Sequence, residues 1–392
     1  MKFIEKYNFT FAQKKILQDI ATDFIMWNER SLDEIFPQHL EQKFKHKELA
    51  SQIVKFFENE HLSLKNKPKN YENFSDIRYQ NERKITFEPY NKESLSLGAC
   101  TVAYENTRCC NLMTLDAVES CGFDCSYCSI QSFYNENKIR YDKDFAKKLA
   151  ALELDSSQIY HIGTGQSSDS LMWGDKFGTL SALVDFAKKN PNVILELKTK
   201  SDNIKFLLEH EIPRNIICTW SLNTPTIIEN EEHLTASLES RIWSARALAD
   251  KNILVGFHFH PIVVYQNYLE EYGEVYAKLL QTFDAKEVAL VSLGTLTFIK
   301  PVVQKLRKRQ MKTKILQMPF VEANKKVSYS LEQKREMFAH AYRSFTHWHN
   351  EVYFYLCMED ESLWRDVFGF EYSSNNQFEE FMKMRYMRKI NG

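Results

Sequence analysis

The chain is predicted to be an α/β protein built on a partial (β/α)6 barrel, with a mostly helical extension before it and an α+β extension after it. Two observations predict this. From about Cys109 short apolar runs of strand length alternate with helix-like segments. Strand and helix keep alternating through six such units, which implies a parallel sheet with right-handed crossovers, two units short of a closed eightfold barrel.

The strands are expected at Leu112–Ala117, Ile159–Gly163, Val193–Leu197, Ile216–Ser221, Leu254–His260 and Val288–Leu293. Helical patterns lie between them, near Asp144–Leu152, Thr179–Lys189, Asp202–His210, Ser237–Lys251 and Tyr268–Phe283. Residues 1–95 read as an accessory segment with helical periodicity in Phe11–Phe24 and Leu40–Phe57, followed by a polar linker over Leu62–Ile77. Residues 96–300 hold the barrel. Residues 301–392 form the C-terminal extension, with a helix near Leu331–Asn350 and a strand-like Glu351–Cys357. In a barrel of this kind the residues just after each strand converge on one mouth, so function is expected there.

Composition sets the boundaries. The 392 residues are 44% hydrophobic and 26% charged, an ordinary globular balance, and the formal net charge of −1 recruits neither nucleic acid nor an anionic membrane by itself. Charges interrupt every apolar stretch of the N-terminal MKFIEKYNFTFAQKKILQDI, so a cytoplasmic protein without a membrane partner is expected. Eight cysteines, three of them tightly clustered, suit metal chemistry in a reducing compartment better than a disulfide scaffold.

That cluster is Cys121, Cys125 and Cys128, in LDAVESCGFDCSYCSIQSFY. Three thiolates spaced C-x3-C-x2-C on one loop each take one iron of a [4Fe–4S] cubane and leave the fourth iron open. An open position lets the metal centre bind a reactant. Here the reactant would be S-adenosylmethionine (SAM), cleaved by an electron from the cluster to a 5′-deoxyadenosyl radical. Tyr127, directly before the third cysteine, matches the radical SAM consensus. A zinc site would want a second C-x2-C pair, which is not nearby. A second reading, a non-catalytic iron–sulfur or zinc protein that senses redox state or docks nucleic acid, accounts for the cysteines but not for the polar residues at the strand ends.

Those strand ends are GTGQSSDSL (Gly163–Leu171), ELKTKSDN (Glu196–Asn203), WSLN (Trp220–Asn223), VGFHFHPI (Val255–Ile262) and SLGT (Ser292–Thr295), with the helix SLESRIWSARAL at Ser237–Leu248. With the cysteine motif they resemble the spore photoproduct lyase family of the radical SAM superfamily, from about Asn111 to Leu293 and on through the C-terminal region to about Phe370. The resemblance implies SAM contacts at Ser168 and Asp169, the latter on the ribose hydroxyls. It also implies a SAM carboxylate partner at Lys200, hydrogen bonds from Ser221 and Asn223, and close backbone approach at Gly163 and Gly165. It further implies hydrogen abstraction from an organic substrate such as a nucleic-acid base, and an electron donor such as flavodoxin or ferredoxin. Two positions depart from the family. Gln166 stands where the lyase keeps a hydrogen-donor cysteine, and Ser129 where it keeps a tyrosine, so the thymine-dimer reaction as the family runs it is not expected unless another thiol takes over. Cys218, on a barrel strand, is the thiol expected to reach the site, ahead of Cys100, Cys109 and Cys110.

His258 and His260 alternate on one strand and therefore share a face, which makes them candidate catalytic groups. The basic run Lys305, Arg307, Lys308, Arg309, Lys312 and Lys314 is read either as a phosphate-tracking stripe or as a solvated helix face.

Overall fold

A computed structural model describes residues 1–74, 84–100, 107–130, 137–323 and 325–392. The last part of the expected linker, residues 75–77, lies outside them. The chain divides into two compact units: Met1–Arg78 with Val264–Gln266 and Thr297–Ser330, and Tyr79–Val263 with Asn267–Leu296 and Leu331–Gly392.

In the first unit, helices span Phe11–Met26, His46–Asn66 and Lys300–Arg309, beside a small antiparallel sheet of Thr297–Ile299, Val321–Ala323 and Lys326–Ser328. Thr10 and Gln13 close a capping box at the start of the first helix, which satisfies two of its orphan N–H groups. The basic run does not form a free cationic stripe. Arg307 binds Asp23 at 2.7 Å and Asp19 at 3.2 Å, and Asp23 is fully buried. Lys314 is buried too, its Nζ 3.3 Å from the Trp27 carbonyl. A buried carboxylate demands a paired cation, and that pairing takes Arg307 out of the stripe.

The second unit is mixed α/β, with an eight-stranded sheet curled into a half barrel. In chain order its strands are β1 (Leu97–Ala99), β2 (Met113–Leu115), β3 (Tyr160–Thr164), β4 (Val193–Thr199), β5 (Ile216–Ser221), β6 (Leu254–Ile262), β7 (Val288–Thr295) and β8 (Tyr353–Leu356). They lie side by side in that same order. β2 through β8 are parallel, and β1 is antiparallel to β2. All six strands expected from the sequence are present. The strand-like segment of the C-terminal region joins the same sheet as β8, extending the parallel run beyond six. Its apolar sequence YFYL is buried on both faces, and it covers the backbone donors and acceptors that β7 would otherwise leave at an open edge.

Register decides which side chains share a face. Glu196 pairs with Gly163 and Ile217, Lys198 with Thr219, His258 with Ser221 and Ser292, and Ser292 with Tyr355. Paired residues of neighbouring strands point the same way, and alternation sends their chain neighbours to the other side. The concave face therefore carries Glu196, Lys198, Thr219, Ser221, His258, His260 and Ser292. Leu195, Leu197, Cys218, Trp220, Phe257, Phe259, Val291 and Leu293 face the helices outside and are at most 1% exposed. The two sheet edges are tied together. Thr107 bridges to Asp360, Arg108 Nε donates to the Tyr372 carbonyl at 2.7 Å, and the Cys109 N–H donates to Asn375 Oδ1 at 3.0 Å. The last helix, Asn375–Asn391, turns Tyr386 onto the concave side, where its ring meets His161 edge-on at 5.4 Å and Tyr353 at 5.7 Å.

Candidate active site

The cysteine loop follows β2 and is fixed from two directions. On one side Asp124–Cys125 forms a short antiparallel ladder with Glu232–His233, pairing Cys125 with Glu232. The Ser126 N–H adds a hydrogen bond to the Glu231 carbonyl at 2.8 Å. On the other side the loop packs on the segment after β3. Cys121 Sγ is 3.8 Å from Met172 Sδ, and a Cβ added to Gly122 would lie 2.7 Å from the Trp173 ring. Glycine at that position is what permits this approach.

Glu232 organises the charge beside the loop. Its carboxylate meets Lys200 at 3.1 Å and Arg241 at 2.7 Å, and the side chains of Glu232 and Arg241 are completely buried. Tyr127 OH donates to the same carboxylate and sits 3.0 Å from Lys200 Nζ. Burial works against ionisation of Glu232, but Lys200 and Arg241 overcome it and hold its pKa down to about 2. One anion between two cations leaves the group with a net positive charge, a setting that favours an incoming carboxylate. Burial pushes the Cys121 and Cys125 thiols up, while Lys200 and Arg241 pull Cys125 back toward the thiolate.

Several residues expected to touch SAM have their polar atoms engaged within the protein. Asp169 accepts hydrogen bonds from Thr199 Oγ1 (2.7 Å) and from the backbone N–H groups of Leu171 (3.0 Å), Met172 (2.9 Å) and Lys200 (2.7 Å). Three of these bonds end on Oδ1 and one on Oδ2, so Asp169 clamps the loops after β3 and β4 together. Asn223 is equally occupied: Nδ2 donates to Glu232 and to the Pro261 carbonyl, and Oδ1 accepts from Tyr272 OH and the Thr224 N–H. Ser221 is buried, and its carbonyl accepts from Arg241 at 2.8 Å. Gly165 adopts φ +81°, and a Cβ there would meet the Lys198 carbonyl at 2.8 Å; at Gly163 a Cβ would press on Leu112 at 3.0 Å. Glycine is required at 165 by the backbone, whereas at 163 a small shift of Leu112 would make room. By contrast, the Ser168 and Ser120 hydroxyls are buried without a hydrogen-bond partner among the described residues. Ser120 directly precedes Cys121 and has φ +72°.

His258 and His260 do share the concave face, in a hydrogen-bond chain that reaches Glu196. His258 Nε2 is 2.6 Å from Glu196 Oε1, His258 Nδ1 is 2.6 Å from Ser292 Oγ, and Ser292 Oγ is 2.9 Å from His260 Nε2. Glu196 also receives His161 Nε2 at 2.9 Å and Thr219 Oγ1 at 2.9 Å. A carboxylate only accepts, which assigns the proton positions. His258 donates from Nε2, Ser292 donates to His258 Nδ1, and His260 donates to Ser292. Burial, helped by the Lys198 charge, lowers the His258 pKa to about 4 and keeps the ring neutral.

Sequence reasoning missed Glu196, Glu232, Arg241 and Ser292. Glu196 and Ser292 lie on predicted strands as polar residues in apolar runs, a signal that was available. Glu232 and Arg241 gave none, because only the fold brings them to the cysteine loop.

The residues present fit a [4Fe–4S] cluster. None of the eight cysteines is in a disulfide, three lie on one short loop beside a cationic group, and an unpartnered hydroxyl precedes the first. Among the described residues no three His, Cys, Asp or Glu side chains gather around a single ion; a cubane does not need that, since its thiolates bind different irons.

Comparison with known proteins identifies the family. The family model "Spore photoproduct lyase" matches residues 36–337. Spore photoproduct lyase of Clostridium acetobutylicum is 27% identical over 228 residues, 54% of this chain and 68% of that protein. The Geobacillus sp. (strain Y412MC61) enzyme is 22% identical over 227 residues, 55% of this chain and 65% of that protein. Among solved structures, spore photoproduct lyase complexed with dinucleoside spore photoproduct superposes with a TM-score of 0.59 at 18% identity, covering 71% of this chain and 84% of that one. A variant of the lyase with bound AdoMet and the same dinucleoside gives 0.58 over the same shares. The chain belongs to the spore photoproduct lyase family of radical SAM enzymes.

Proposed function

We propose that the protein holds a [4Fe–4S] cluster on Cys121, Cys125 and Cys128, binds SAM beside it, and abstracts hydrogen from a nucleic-acid-derived substrate. The six expected strand–helix units serve as its (β/α)6 barrel. When bound, the reduced cluster and SAM supply a 5′-deoxyadenosyl radical. The observation that carries the reading is the backbone pairing of Cys125 with Glu232, which sets the cysteine loop against a buried group of net positive charge.

The chain's own residues then divide the work. Lys200, the more accessible cation of the group at 15% side-chain exposure, swings from Glu232 to the SAM carboxylate, while Arg241 stays to neutralise Glu232. Tyr127 holds Glu232 in line. Ser168 turns its free hydroxyl to SAM. Asp169, bonded to both strand-end loops, positions them instead of contacting the ribose, and Asn223 positions Glu232. The relatives' dinucleoside ligand supports a thymine-derived lesion in nucleic acid as substrate, with a flavodoxin- or ferredoxin-type protein as electron donor and the cytoplasm as location. Among the described residues no helix is long and apolar enough to cross a membrane.

The test is direct. The chain reconstituted with iron and sulfide, reduced and given SAM, should yield 5′-deoxyadenosine, and Cys125→Ala should abolish both the iron–sulfur absorbance and turnover. Dinucleoside spore photoproduct should be converted to thymidine product by the same preparation. SAM cleavage without conversion would keep the radical generator and discard the substrate.

A further inference from the structure

A substrate carbon radical must be closed with a hydrogen atom before product leaves, and among side chains the thiol S–H bond is the weakest that can supply one. The fold separates the thiols by face. Cys218, central in β5, points outward with 0% exposure, away from the site. Cys357 directly follows β8, and the alternation Tyr353, Tyr355, Cys357 turns it to the concave face with Glu196 and His258. It lies at the end of a parallel strand, the same end as the Asp169 and Lys200 loops.

Its surroundings are those of a polar site. The Cys357 N–H donates to the Leu293 carbonyl at 2.8 Å, which fixes the backbone. A Cβ added to Gly294 would fall 3.2 Å from His260 Nε2 and 3.3 Å from the Cys357 carbonyl, so a residue without a side chain separates the two. Lys198 acts electrostatically on Cys357, His258 and His260 together, and Cys100 and Cys109 also lie within electrostatic reach of Cys357. The Cys109 thiol interacts with its chain neighbour Cys110, which pulls it down to about 6. Burial pushes the Cys357 thiol up to about 12, which keeps the hydrogen on sulfur at neutral pH.

We propose that Cys357 is the hydrogen-atom donor of this site, delivering hydrogen to the substrate radical on the concave face beside Lys198 and His260. This rests on the radical SAM reading above. In the step the S–H bond breaks, a C–H bond forms on the product, and a thiyl radical remains on Cys357. One electron from the same class of low-potential carrier that reduces the cluster, with one solvent proton, restores the thiol. SAM is then consumed in each cycle.

Two measurements test it. In D2O the Cys357 thiol carries deuterium. With SAM, reductant and dinucleoside spore photoproduct, the substrate radical should take that deuterium and give monodeuterated thymidine product in the native protein and in Cys218→Ala. In Cys357→Ala and Cys357→Ser the deuterium should be lost, with melting curves confirming that at least one of the pair is folded. Absence of 5′-deoxyadenosine from the native protein would overturn the radical reading and the donor with it. Unchanged deuterium in folded Cys357 variants would overturn the donor alone. On the cluster-free chain, iodoacetamide with mass mapping should label Cys357 increasingly as pH rises and leave Cys218 unlabelled; a Cys357 as inert as Cys218 would overturn the assignment without any turnover.

Discussion

The backbone of Cys125 is paired with that of Glu232, and the Glu232 carboxylate is shared between Lys200 at 3.1 Å and Arg241 at 2.7 Å. One acidic residue thus sets the position of the cysteine loop and the charge of the group beside it. Glu232→Gln would leave fully buried Arg241 facing a neutral amide. Removing one partner of a buried pair costs about 3–5 kcal/mol, so the urea midpoint should fall steeply. Glu232→Gln with Arg241→Met should be less damaging than the sum of the single changes, because the orphaned charge is gone. Strict additivity would mean that the pair is not coupled.

Lys200→Met should act on SAM and spare the fold. Its side chain is partly exposed, and Glu232 keeps Arg241 as partner. A hydrogen bond to a charged group contributes roughly 1.5–3 kcal/mol, so SAM affinity should fall about 10- to 150-fold. Titration calorimetry on the reconstituted protein reads this. An unchanged affinity with a lowered melting temperature would make Lys200 a structural ion-pair residue only.

For Asp169→Asn the expectation is reversed. The carboxylate accepts from four donors, and an amide NH2 would face at least one of those N–H groups. A buried donor left unsatisfied costs about 1–3 kcal/mol. Thermal melting should register the loss even in cluster-free protein, where a ribose-binding role would leave stability unaffected.

How far the sequence carried these conclusions depended on whether the signal was local. The six strands were legible because parallel strands buried on both faces read as continuous apolar runs, as in VILELKT and IICTWS. The cysteine motif was legible because its three cysteines lie within eight residues. β8 was read as a strand, but its place beside β7 follows from edge pairing across about sixty residues of sequence. Glu232 and Arg241 carried no local pattern. The choice between Cys218 and Cys357 turned on side-chain direction, and for Cys357 that needed the register of β8.

The concave-face chain gives a pH dependence with a definite sign. His258 is packed among Glu196, Lys198, His161 and His260, and its pKa is lowered from 6.5 to about 4. The unfolded chain therefore binds more protons than the folded one between those values, and stability is full above pH 6.5 and lost as pH falls toward 4. One group displaced that far contributes roughly 3 kcal/mol. Glu232, held down to about 2 from 4.5, adds a second loss at lower pH, below 4.5 and extending to about 2. Chemical denaturation across pH should show both windows. His258→Gln keeps a neutral side chain that can bond Glu196 and Ser292, so it should flatten the upper window while leaving the lower one in place. Since burial also holds His260 well below its ordinary value, some slope should survive. A variant with the full native slope between pH 6.5 and 4 would show that His258 titrates normally and that burial and Lys198 do not hold it neutral against the pull of Glu196.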